Sequence, residues 1–137
     1  MLVKRLRSSD DGERGSAVVE FVLVSLLIMM LLLAVLQVAV YVHVRNVVTA
    51  SAQEGARYAA NADVDSAAGA GRTLEVVGRA TSQQTARGLA CSSIEEVDAT
   101  GLTLVVVRCS GSVPALLAAL GNLLPLEATG RAVKEAA

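Results

Sequence analysis

Aromatic side chains are almost missing from this chain of 137 residues: Phe21, Tyr41 and Tyr58 are the whole set, and there is no Trp. Positive charge is not in excess either, with 12 Lys+Arg against 13 Asp+Glu and a net charge of −1. A chain short of both cannot line a groove along phosphates or stack bases on aromatic faces, so nucleic acid is not an expected partner. One His and two Cys fall short of a three- or four-ligand zinc shell without help from carboxylates. Asp63 and Asp65 stand two apart, but nothing follows to complete a calcium loop. No nucleophile–base pair and no Gly-rich phosphate loop is visible, and the lone His43 borders an apolar run. No metal, no cofactor and no enzymatic activity are therefore expected. What the chain has is hydrophobicity: 53% of its residues are apolar and the mean hydropathy is +0.54.

That hydrophobicity is concentrated. From Phe21 to Val44 the sequence reads FVLVSLLIMMLLLAVLQVAVYVHV, with only Ser25, Gln37 and His43 polar. As a helix rising 1.5 Å per residue this run spans roughly 36 Å, enough to cross a hydrocarbon core of about 30 Å with some tilt. Lys4, Arg5, Arg7 and Arg14 precede it, whereas only Arg45 and Arg57 follow closely. The positive-inside rule then places the N-terminus in the cytoplasm and the rest of the chain outside, in a single pass through the cytoplasmic (inner) membrane. A cleaved signal peptide is the competing reading, since Ala50-Ser51-Ala52 offers a small-x-small site. Its apolar core would be too long, however, and the site lies well beyond the end of that core.

Glu20 directly precedes the run, with Ala17, Val18 and Val19 extending the apolar stretch on its other side. A carboxylate at the centre of a bilayer costs about 3 kcal/mol and less near an interface, so a solvated position at headgroup depth is one reading. The local string Arg14-Gly15-Ser16-Ala17-Val18-Val19-Glu20-Phe21 supplies another. It resembles the processing site of type IV pilin-like proteins. The resemblance implies a membrane-embedded prepilin peptidase as a partner, cutting after Gly15 so that the mature chain starts at Ser16 with Glu20 as its fifth residue. The chemistry is consistent: a new α-amino group on Ser16 would share a helix face with Glu20, at i and i+4. That ammonium, or one from a neighbouring subunit, would neutralise the carboxylate in an apolar filament core. Residues 1–15, with four positive and three negative charges and a Ser-Ser-Asp-Asp-Gly stretch, read as a flexible cytoplasmic leader.

Beyond the membrane, Val48, Ala52, Ala56 and Ala59 recur at helical spacing and Glu54 and Arg57 stand at i,i+3. The membrane helix is therefore expected to continue outward to near Asn61, with Asp63 capping the next helix. GSAVVEF, the long apolar helix and RNVVTASAQEGARYAA together resemble the TadE-like family, the minor pilins or pseudopilins of the tight-adherence (Tad/Flp) pilus, a type IV pilus system. The TadF and TadG relatives share this N-terminal pattern. The resemblance implies other pilins and pseudopilins, Tad assembly proteins and the lipid bilayer as partners. It implies a role in pilus assembly, initiation or cell adhesion, with Glu20 and Phe21 acting in assembly. The alternative is an uncleaved single-pass protein whose external domain binds an envelope ligand or partner.

The expected fold class is α+β, in three parts: the leader (1–15), the membrane helix with its external extension (16–61), and a small external domain (62–137). Within that domain a helix is expected from about Val64 to Gly88, with Leu74, Val77 and Thr81 on one side. The β-branched run Leu102–Cys109 reads as a strand, and Ser93–Ala99 as an edge strand paired to it through Thr100-Gly101. Leu116, Leu117, Leu120, Leu123 and Leu124, framed by Pro114 and Pro125, follow an amphipathic helical pattern. Such a helix would pack on its own sheet or dock on a partner or membrane. Leu126–Val133 is expected as a final strand. Cys91 and Cys109 bracket the hairpin, and outside the cytoplasm a disulfide is the expected state, with two free thiols as the alternative.

Overall fold

The structure, a computed structural model, describes residues 10–113 and 124–136, with side chains from Gly15 onward. Its elements are helix α1 (Asp10–Ala60), α2 (Ala68–Ala80) and α3 (Gln83–Arg87), then strands β1 (Leu89–Val97), β2 (Thr103–Val113) and β3 (Leu124–Val133). The strands form one antiparallel sheet in the order β1-β2-β3, giving an α+β fold. The chain divides into two compact units, residues 1–36 and 37–137, and α1 has residues in both. Its start at Asp10 extends the helix into the stretch read as a flexible leader. No proline falls between Asp10 and Ala60, and the acidic Asp10, Asp11 and Glu13 suit the positive end of a helix dipole.

In the C-terminal unit, residues 37–60 of α1 lie along β3. Tyr41 donates its hydroxyl hydrogen bond to the Pro125 carbonyl at 3.0 Å. Twelve residues further on, Gln53 pairs its side-chain amide with the backbone of Arg131, donating to the carbonyl and accepting from the N–H. The expected stripe is the one buried: Val48, Ala52, Ala56 and Ala59 are fully buried. Val48, Ala52 and Ala56 pack with Val77, Val107, Cys109, Val113 and Leu126. Ala59 joins Ala60 and Val105 in a second cluster. Small residues on α1 let the backbones approach. A Cβ on Gly130 would come within 2.2–2.4 Å of the Ala52–Gln53 backbone, and one on Gly55 within 2.5 Å of the Gly69 carbonyl of α2.

The C-terminal end of α1 is closed by the tail of β3. The Lys134 ammonium donates to the carbonyls of Ala59, Asn61 and Val64, and the Glu135 N–H donates to that of Ala60. A cation here satisfies carbonyls left over at the helix end and complements the helix dipole. Lys134→Met is expected to destabilise the unit by about 1–2 kcal/mol, read as a lower urea midpoint at unchanged slope.

Several local expectations are corrected. Glu54 pairs with Arg72 at 3.8 Å rather than with Arg57, because α2 crosses α1 at Gly55 and brings Arg72 over the Tyr58 ring. Asp63 caps nothing; Asp65 instead accepts from the Ala67 N–H, and α2 starts without a side-chain cap. The expected helix over 64–88 is two helices. Thr81 ends α2, and Ser82, a strong N-cap residue, accepts from the Thr85 N–H and starts α3. Leu124 and Pro125, read as the end of a leucine-rich helix and its stop, lie in β3, where Leu124 pairs with Val113. Pro125 fits there because an edge strand can lack one N–H. The rest of that expected helix, Pro114 to Leu123, lies outside the described residues.

The hairpin is longer than expected, with Leu89 opposite Gly111 and Val97 opposite Thr103. Asp98 organises its turn: its carboxylate accepts from the Thr100 hydroxyl and from the N–H groups of Thr100 and Leu102. The Thr100 hydroxyl, then the Leu102 amide, hold this carboxyl below its usual pKa of 3.8. Gly101, with φ +86°, takes the left-handed position. Cys91 and Cys109 sit opposite each other in the register and are disulfide-bonded. Closing this 18-residue separation is worth about 3 kcal/mol on the chain-entropy account. Cys91→Ser/Cys109→Ser is expected to lower unfolding stability by that amount, and a reductant should produce the same midpoint shift in the wild type only.

Candidate functional site

The residues singled out by sequence fall into two separate groups, one in each unit. In the N-terminal unit Gly15, Ser16, Val19, Glu20 and Leu23 line one open face of α1. Helical spacing puts Ser16 and Glu20 one turn apart on that face, and it sets Phe21, 72% exposed, to one side. Nothing lies within 4 Å of where a Cβ on Gly15 would be. Glycine costs a helix roughly 0.5–1 kcal/mol relative to alanine. Packing among the described residues gives no reason for that cost.

From Val18 to Leu36 every large apolar side chain but the half-buried Leu33 is exposed, all round the helix. In water such a surface would be an aggregation hazard far beyond the patches that soluble proteins tolerate. Among the described residues, α1 is the one helix long and apolar enough to cross a membrane, which makes it a candidate membrane anchor. Glu20 is the only charged residue between Gly15 and Val44.

In the C-terminal unit the EGARYAA stretch proves to be a packing element. Glu54 reaches Arg72, Gly55 lets α2 approach, Ala56, Ala59 and Ala60 are buried, and the Arg72 guanidinium lies 5.6 Å from the Tyr58 ring centroid. Sequence reading noted the stripe but missed Gly55, whose role needs a partner helix that periodicity alone does not reveal. It also missed Gln53, Tyr41 and Lys134, which act on backbone groups of β3 and of the α1 end across 70 or more residues of sequence. Among the described residues no group of three or more His, Cys, Asp or Glu comes together to hold a metal ion.

A long apolar helix whose C-terminal part packs on a small disulfide-bonded sheet defines the class. Residues 15–57 match the family model described as TadE-like protein, so the chain is TadE-like over the segment that carries Gly15, Glu20 and the EGAR sequence. No curated protein and no solved structure matches the chain.

Proposed function

We propose that the protein is a membrane-anchored minor pilin, or pseudopilin, of a Tad/Flp-type pilus. A prepilin peptidase removes residues 1–15, and the mature chain starts at Ser16. The N-terminus faces the cytoplasm, and the C-terminal unit lies outside the inner membrane. The protein acts structurally, in pilus assembly, initiation or adhesion, through contacts with other pilins and Tad assembly proteins. The observation that carries this reading is Gly15: a glycine in a helix, with nothing packed on it among the described residues, five residues before the only charge in an apolar span. A peptidase that must seat the backbone closely gives this glycine a purpose that the fold itself does not.

Gly15→Leu tests the reading, because leucine is a good helix former and meets nothing in the fold. The variant is expected to insert normally yet keep its leader, migrating about 1.7 kDa above the wild type in membranes of cells that make the pilus. Equal migration of the two would contradict the proposal. An uncleaved wild type would favour a plain membrane-anchored binding domain.

A further inference from the structure

The two edges of the sheet are treated differently. Hydrogen-bond parity tells which backbone groups point outward. Cys91 and Cys109 are only 4.1 Å apart at Cα, the spacing of a non-hydrogen-bonded pair. The N–H and C=O groups of Cys91, Ser93, Glu95 and Val97 therefore face away from β2. On β3, by the same alternation, the outward groups include those of Pro125 and Arg131. That edge is partly occupied: Pro125 has no N–H and its carbonyl is taken by Tyr41, while Gln53 occupies both groups of Arg131. The β1 edge is open. Among the described residues no hydrogen bond reaches the outward backbone groups of Cys91, Ser93, Glu95 or Val97.

Open edges invite strand addition, and proteins usually blunt them with Pro, Lys, a bulge or a short strand. β1 has none of these; it runs for nine residues in unbroken register with β2. Its two charges stay at the surface on partners within the chain, Glu96 paired with Arg108 of β2 and Glu95 accepting from the Ser66 hydroxyl. We infer that β1 is a docking edge, and that its occupant is an extended, Lys- or Arg-bearing strand of a different protein.

Geometry and charge select that occupant. Residues 37–60 of α1 run parallel to β3, so Gln37, where the unit joins its apolar helix, lies at the Pro125 end of the sheet. Antiparallel pairing of two β1 edges would gather Glu95 and Glu96 of both copies on one short ladder, with no Lys or Arg on either strand to offset them. Parallel pairing would set Glu95, Glu96 and Asp98 beside the same residues of the other copy, and like charges across strands are unfavourable. A second copy therefore fits neither way. From Gly88 to Val107 the chain has three carboxylates and no Lys or Arg, and the turn joined to β1 through Ser66–Glu95 and Ser93–Ser66 adds Asp63 and Asp65. Only Glu96 of these five has an ion-pair partner among the described residues. A basic strand would gain main-chain hydrogen bonds from the edge and opposite charge from its surroundings.

This inference rests on membrane attachment through α1, which the membrane fraction used for the test reports by itself. A photoreactive benzoylphenylalanine is placed at Ser92 of the full chain, in cells that make the pilus. Irradiation is expected to give one adduct, and mass spectrometry should place its crosslink in a Lys- or Arg-bearing segment of another protein. Glu95→Pro and Val97→Pro each remove an outward N–H without touching the β1–β2 ladder, and each is expected to cut the adduct at least tenfold. Glu95→Ala keeps the N–H and should cut it less. An intact disulfide and an unchanged thermal midpoint show that a variant is folded. Amide exchange needs no variant: the N–H groups of Ser93, Glu95 and Val97 should exchange at least tenfold more slowly in those membranes than in purified protein. No adduct, an adduct to a second copy, an adduct that survives both prolines, or equal exchange in the two samples would overturn the inference.

Discussion

Gly130→Ala is expected to lower the stability of the C-terminal unit by about 3 kcal/mol, the upper part of the range for overpacked cores. The new methyl would overlap the carbonyl carbon and oxygen of Ala52 and the nitrogen of Gln53, all within 2.2–2.4 Å. These are backbone atoms in the middle of a helix, so no side chain can swing aside to make room. Relief requires moving α1 away from β3, which also lengthens the Gln53–Arg131 and Tyr41–Pro125 hydrogen bonds and loosens Leu126 and Val107 in the core. The control is Gly71→Ala, at a position in α2 with nothing within 4 Å. There the gain in helix propensity should raise stability by up to about 1 kcal/mol. Urea unfolding of the full chain in mild detergent, followed by helix content, reads both. A Gly130→Ala midpoint equal to that of the wild type would mean that α1 and β3 do not pack as described.

The second large effect belongs to Glu20. Around it the helix is apolar on every side, and packing between such helices in lipid has no hydrophobic driving force, since lipid tails are equally apolar. A polar or ionic contact then has disproportionate influence on which register neighbouring helices adopt. Glu20→Ala is expected to leave membrane insertion intact or to favour it, because removing a carboxylate from an apolar span gains up to about 3 kcal/mol. Recovery of the protein with sheared surface fibres, or with pilins solubilised from the membrane, should nevertheless fall at least tenfold. The opposite signs matter: a loss of assembly cannot be blamed on a loss of insertion. Glu20→Asp, with the charge kept but shortened, should fall between the two. Wild-type recovery of Glu20→Ala would remove Glu20 from any role in assembly.

What could be read from sequence follows from how local each signal is. The anchor helix, the buried Val48–Ala52–Ala56–Ala59 stripe, the β1–β2 hairpin and the Cys91–Cys109 bond depend on periodicity, turn chemistry or short separations, and each is present in the fold. Some failures were local, such as the cap at Asp65 instead of Asp63 and the helix break at Ser82, and the others needed a third element. Glu54 was assigned to Arg57 because both lie on one helix, whereas the crossing at Gly55 delivers Arg72 from another. Leu124 and Pro125 fit a helical spacing, yet pairing with β2 draws them into a strand. Lys134, near the end of the sequence, gives no sign in its neighbourhood that it closes a helix ending at Ala60. At the N-terminal group the residues were legible from the motif alone, and among the described residues nothing packs against Gly15.

Processing after Gly15 is central to the proposed function, and it is tested most directly by the intact mass and N-terminal residue of the wild-type protein from native membranes or sheared fibres. A chain starting at Ser16 is expected. A chain starting at Met1 would contradict it and leave a membrane-anchored domain with no prepilin step. A start at Gln53 would show that the apolar helix is a signal peptide and not an anchor.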